Sequence, residues 1–390
     1  MNKKKVLWLF LSAILIVGIS TGIFRSIFNN YLKEIHSFTS VERGLIEFPR
    51  EFFGFLTVFV VGFFYFIREQ KLLGIGLFVL AISYLGFAFL TPNYYWLVIW
   101  VLLWSFGSHL FGNLRSVIGL SIADNKHVGH FLGKIAAMGS LGFIFGTLIV
   151  WLFVSELDFS SSFLIASVFA LISSLIFITL PVNKHFELEK RSKFIFRKKY
   201  IHYYVLASLF GIRKQLFLVF APWFIIEILG QSASVIANIL FVSAILGLYV
   251  KPKLGKLIDS LGERKVLIYD GFALSIVSIG YVVVPHFLEG SYLLLTASLF
   301  FIIDELLFTL RNARETYLYK IAESKKDITP TLATGLSIEH LVSMSMPILA
   351  GIVWLNYGYQ WVFAFCSLLA IFTSWYVFKF VTDESVKRQS

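Results

Sequence analysis

Residues 72–108 read LLGIGLFVLAISYLGFAFLTPNYYWLVIWVLLWSFGS, 37 positions without one Asp, Glu, Lys or Arg. A straight helix of that length reaches about 55 Å at about 1.5 Å per residue, against a hydrocarbon layer of about 30 Å. Thr91-Pro92-Asn93 interrupts the run near its middle, where a proline and a turn-forming asparagine end one helix and begin the next. The stretch therefore reads as two membrane spans joined by a tight turn.

The rest of the chain follows the same pattern. With 58% hydrophobic residues, 15% charged residues and a mean hydropathy of +0.80 over 390 positions, it carries more apolar surface than one water-facing core can hide. The apolar runs are continuous rather than alternating, so helices are expected, since a helix satisfies its own backbone hydrogen bonds in lipid. The expected spans cover 6–32, 43–67, 72–91, 94–121, 129–155, 160–181, 201–228, 232–252, 265–285, 291–320, 331–355 and 359–380. This is an all-α integral membrane protein of twelve transmembrane helices. The apolar run from Val6 to Phe24 lacks a small-residue cleavage pattern and reads as a retained first span. Cys366 stands alone, which excludes an intrachain disulfide or a cysteine-based metal site.

The net charge of +11 lies in short connections between apolar runs, which argues for topology rather than nucleic-acid binding. Lys3 to Lys5, Arg68, Lys71, Lys126, Lys184 to Lys199, Lys251 to Lys265, Lys325, Lys326, Lys387 and Arg388 fall on one face, so both termini are expected in the cytoplasm. The longest hydrophilic stretch divides the chain into a six-helix bundle over 1–182, a cytoplasmic linker over 183–200 and a second six-helix bundle with a short tail over 201–390. A shift of 193 superposes Tyr31-Leu32-Lys33-Glu34-Ile35 on Phe224-Ile225-Ile226-Glu227-Ile228. A slightly larger shift sets His109 and Arg115 over Glu305 and Arg311. Such matches in constant order suggest a duplicated unit.

Between the eighth and ninth spans the chain reads Gly255-Lys256-Leu257-Ile258-Asp259-Ser260-Leu261-Gly262-Glu263-Arg264-Lys265. Glycines suit a tight turn there, and Asp259 suits an acceptor for bases or helix N-termini. The motif resembles the loop signature of the major facilitator superfamily, and span count, hinge and repeat agree over the whole chain. The resemblance implies secondary transport by alternating access, with a gate formed by Gly255, Asp259, Gly262 and Arg264. It departs from the family pattern in the first half, where Gly62 to Lys71 lacks the acid, and in the fifth span, which lacks the glycine-proline pair of drug/proton antiporters.

Several charges cannot leave the membrane. The uncharged run from Gln215 to Ile226 spans only 12 residues, so the seventh span carries Arg213 and Lys214 inside; Asp304 and Glu305 interrupt the tenth in the same way. Arg213 and Asp304 both come near the midplane, where a charge costs roughly 2.5–3.5 kcal/mol unless it meets a partner or a polar cavity. Arg311 and Arg314, nearer the end of the tenth span, are expected to snorkel. Since the resemblance implies that spans 1, 4, 7 and 10 line the cavity, the substrate candidates are Arg25, Asn29, His109, Asn113, Arg115, Arg213, Asp304 and Glu305. Glu51, Asp304, Glu305 and Glu339 are the proton-coupling candidates, being acids that burial and neighbouring bases can tune. Fixed ion pairs that set helix register are the competing reading.

The expected activity is secondary transport of a small anionic or zwitterionic solute with protons across the cytoplasmic membrane. A drug or lipid exporter, or flippase, on the same fold is the alternative. A membrane-embedded lipid-modifying enzyme ranks lower, because His-Glu-x-x-His, His-x4-Asp, aspartate-rich and phosphate-cradling patterns are all missing. No catalytic residue, metal or cofactor is expected. The expected partners are solute, protons and membrane lipids, with the chain a monomer.

Overall fold

A computed structural model describes residues 3–64, 66–122, 128–153, 157–181 and 196–381. The linker expected over 183–200 lies outside them up to residue 195, as do Lys126, Lys387 and Arg388. The described residues are helical and contain no strand. In chain order the helices are α1 (Lys3–Glu34), α2 (Ser40–Leu45), α3 (Glu47–Phe63), α4 (Glu69–Phe89), α5 (Tyr94–Ile122), α6 (Val128–Phe153) and α7 (Phe159–Thr179). They continue with α8 (Ile201–Trp223), α9 (Ala233–Leu261), α10 (Glu263–Val283), α11 (Gly290–Leu307), α12 (Asn312–Ile321), α13 (Lys325–Tyr357) and α14 (Tyr359–Phe380). Counting continuous helical runs, 11 among the described residues are long and apolar enough to cross a membrane. The remaining expected span, the second at 43–67, is divided between α2 and α3, with Ile46 as the joint.

Three boundaries differ from expectation for local reasons. The loop expected over 255–265 shrinks to one residue: α9 continues through Leu261, and Gly262 alone turns the chain at φ 82°, ψ 156°. Only glycine adopts that conformation without strain. The tenth span is broken, because a tight 3₁₀ turn over Phe308–Arg311 joins α11 to α12. α13 begins at Lys325, six residues before the expected 331.

The helices group into two compact units. The first comprises Met1–Ser37, Pro49–Arg191 and Ser232–Ile245 within the described residues. In it α1 packs on α6 and α7, and α4 on α5 and α7. Gly18 and Gly22 of α1 meet the backbone of α6, and a Cβ on Gly142 would strike the Leu15 carbonyl, so backbone meets backbone along this contact. Phe24, Phe28, Tyr31, Phe87 and Phe163 fill the space beside it with stacked, tilted and edge-on rings. The start of α9 joins this unit through Ser234, whose hydroxyl donates to the Trp151 carbonyl over 3.1 Å.

The second unit comprises, within the described residues, Phe38–Phe48, Ser192–Gln231 and Leu246–Ser390. Here α10 packs on α14, and α8 and α2 pack on α13. Segment 38–48 is held tightly. Thr39 and Glu42 form a reciprocal capping box at the start of α2, the Ser40 hydroxyl donates to Gly351 O over 3.0 Å, and a Cβ on Gly44 would collide with the Pro347 carbonyl. At one end of the unit Tyr200, Tyr203, Ile258, Val266, Leu310, Tyr317 and Val377 form a buried apolar cluster.

Candidate functional site

Arg213, Lys214 and Gln215 are consecutive on α8, and successive helical side chains point about 100° apart. Each therefore reaches a different neighbour in the second unit. Arg213 Nη2 donates to Asp304 Oδ1 of α11 over 3.0 Å, with side-chain exposures of 8% and 15%. Lys214 Nζ donates to Glu339 Oε1 of α13 over 3.1 Å. Gln215 Nε2 donates to Glu47 Oε2, while Arg43 takes the other Glu47 oxygen at 2.5 Å. All of these groups are largely buried among the helices, as expected where an unneutralised charge in hydrocarbon would be expensive.

The remaining oxygen of Glu339 accepts from Arg314 Nη2 of α12 over 2.9 Å. Arg314 therefore does not snorkel as expected. It is 5% exposed and stacks over the Phe210 ring at 4.5 Å, because the 3₁₀ turn before α12 rotates it inward. Arg311, one turn earlier, does reach the surface and pairs with Glu315 at 3.9 Å. The network is thus a one-to-one pair, Arg213 with Asp304, beside a two-to-one cluster of Lys214 and Arg314 on Glu339. His340 is buried next to that cluster, and Glu305 sits half-buried beside Asp304.

In the first unit Arg25 lies over the Phe143 ring at 5.5 Å, and Arg115 over Phe111 at 5.4 Å. Asn29 is buried on α1. His109 Nδ1 is 2.8 Å from Ser105 O, and Asn113 Nδ2 donates to His109 O over 2.9 Å, so both are tied to the backbone of α5. Glu51 is buried and lies 3.5 Å from Arg50, whose guanidinium also covers Trp104 at 5.7 Å.

Of the residues assigned to the gate, Gly255 and Asp259 lie on the last turns of α9, with Asp259 exposed. Arg264 Nη2 donates to Phe378 O at the end of α14 over 2.7 Å. Its neighbour Glu263, which the sequence reading passed over, is buried and accepts from Lys320 of α12 at 2.5 Å. Sequence reasoning also missed Asp270. It is the only acid in α10 beyond Glu263, and that isolation was the available signal.

A family model described as "Major Facilitator Superfamily" matches residues 5–313. No curated protein matches the sequence significantly. Among solved structures, the nucleoside transporter NupG is similar at TM-score 0.77 and 16% identity, over 97% of this chain and 100% of that one. A POT family transporter in complex with 5-aminolevulinic acid gives 0.76 and 12%, over 96% of this chain and 95% of that one. The xylose transporter XylE from E. coli gives 0.73 and 13%, over 98% and 97%. At such identities the likeness carries the fold and not the cargo.

Proposed function

Because the chain belongs to the Major Facilitator Superfamily, and is thus a multi-pass membrane transporter of small solutes rather than an enzyme, we propose that it moves an anionic or zwitterionic solute across the cytoplasmic membrane by alternating access, driven by protons. The observation that carries this reading is the buried pair of Arg213 and Asp304. A proton on Asp304 cancels the charge that holds Arg213 and frees the guanidinium for an anionic group on the solute. Asp304 suits the coupling role better than Glu339, since one cation holds the former and two hold the latter.

The basic and polar groups Arg25, Asn29, His109, Asn113 and Arg115, with Glu305, are the further solute contacts in this proposal. Glu51 remains a second proton carrier of the first unit. Gly255, Asp259, Gly262 and Arg264 are the hinge of the gate, with Gly262 the point where α9 and α10 change direction. The basic connections favour a topology with both termini in the cytoplasm. The bundle boundaries proposed are 1–182 and 201–390, exchanging segments 38–48 and 232–245 at their edges.

The test is flux into proteoliposomes, with an imposed pH gradient, of a panel of carboxylate-, phosphate- and amino-acid-bearing solutes. Gradient-dependent uptake that Asp304→Asn abolishes supports the reading. Gradient-driven movement of lipid or of hydrophobic cations alone would replace it with the exporter alternative.

A further inference from the structure

Behind the Arg213–Asp304 pair, inside the second unit, lies a cavity of about 40 Å³. Leu206, Leu209 and Phe210 of α8, Leu274 of α10, and Leu369 and Ala370 of α14 give it mostly apolar walls. Its polar lining is Arg213, Asp270, Arg311, Arg314 and Thr373. Arg213 and Arg314 are 7% and 5% exposed. Asp270 Oδ1 and the Nε and Nη1 atoms of both arginines are buried without a hydrogen-bond partner from the protein.

Five buried polar atoms left unsatisfied beside one cavity demand an account, since each costs about 1–3 kcal/mol when unmet. One water needs about 10–15 Å³ by the same measure and about 2–4 polar partners, so the cavity meets both requirements. An apolar cavity of this size would stay dry; this one has an acceptor from α10 and donors from α8 and α12. Asp270 also lies within electrostatic range of both Arg213 and Asp304. Arg213 thus pairs directly with Asp304 of α11 and shares the cavity wall with Asp270 of α10.

We infer that Asp270 is the second carboxylate partner of Arg213, joined to it through water held in this cavity, and that it shares with Asp304 the proton taken up by the site. The inference rests on the proton-coupled reading above. The proton comes from water entering the cavity and sits on one of the two carboxyls; Arg213 remains charged, and when Asp304 is protonated the Nη2 it releases is open to the solute while the water-mediated link to Asp270 persists. The groups facing this exchange are Arg213 from α8, Tyr281 from α10, Asp304 and Glu305 from α11, Arg311 and Arg314 from the turn and α12, and Cys366 from α14. The arrangement makes Asp270 a positioning residue whose effect on transport acts through Arg213.

Infrared titration of the protonated carboxyl stretch in the reconstituted full-length protein, with no solute present, tests it. Asp270→Asn leaves Arg213 to a single acid and removes a negative neighbour, so the Asp304 band titrates about one pH unit or more lower than in wild type. Asp304→Asn shifts the Asp270 band in the same direction. Ala370→Leu, which fills the cavity and keeps both acids, reduces the coupling between the two bands. Unmoved midpoints in the two Asn variants, or undiminished coupling in Ala370→Leu, overturn the inference. If Asp270→Asn does not fold, Asp270→Glu takes its place: two coupled steps support the pairing, and a single step refutes it. The titration needs no cargo, so its failure is separate from failure of proton-driven flux, which would strike the transport reading alone.

Discussion

Arg213 on α8 and Asp304 on α11, 91 residues apart in the chain, meet over 3.0 Å with both side chains shielded from their surroundings. Removing one member of such a pair leaves the other's buried charge poorly matched, at a cost of roughly 3–5 kcal/mol, whereas removing both avoids most of that mismatch. Asp304→Asn and Arg213→Gln are each expected to lower thermal stability strongly, and the double variant to recover much of the loss. A double-mutant cycle by melting in detergent measures this, and simple additivity would mean that the pair is not coupled.

Glu339 serves two cations, Lys214 at 3.1 Å and Arg314 at 2.9 Å. Glu339→Gln removes the acid that both cations share, while Lys214→Met leaves Glu339 with Arg314. The expected order of melting temperatures is wild type, then Lys214→Met, then Glu339→Gln. Equal melting of the two variants would argue that Glu339 answers to one base only.

The contact between α1 and α6 is backbone against backbone. A Cβ on Gly142 meets the Leu15 carbonyl, and one on Gly112 of α5 meets nothing within 4 Å. Gly142→Val is therefore expected to reduce the folded yield severely, and Gly112→Ala to change stability by no more than about 0.5 kcal/mol. Size-exclusion profiles and melting curves of the two separate these outcomes.

Asp158 caps α7, accepting the Ser161 N–H over 2.7 Å, and this bond holds its carboxyl below the usual range. A lowered folded value means that the cap contributes above the unfolded pKa of about 3.9 and is lost as pH falls through the folded one. Asp158→Ala is expected to cost about 1 kcal/mol at neutral pH and progressively less under acid. A difference from wild type that persists at the acid end would show that the side chain acts by something other than its charge.

Some of this was legible before any coordinates. The break at Thr91-Pro92-Asn93 falls between α4 and α5, and the gap expected between 355 and 359 falls at Gly358 between α13 and α14, because these stops act through their own backbone; Pro222, Pro252, Pro330 and Pro347, by contrast, lie within helices. The inward charges of α8 and α11 followed from length alone: no window of 18 residues avoids them. Arg314 was read as snorkelling because distance along a straight helix was the only measure available, and the 3₁₀ turn over Phe308–Arg311 is not marked by proline or glycine. Asp270 passed unnoticed because a lone acid near the start of a span looks like an interfacial one until its neighbours are known.

The residues by themselves determined that this is a chain of lipid-dissolved helices carrying charges that need company, since transfer into hydrocarbon depends on each segment's own side chains. Tertiary packing alone decided which acid keeps which base: Asp304 and the cavity beside Asp270 for Arg213, and Glu339 for Lys214 and Arg314. Those choices rest on helices brought together from 25 to 125 residues apart, and Coulomb attraction selects partners by distance in space rather than along the sequence.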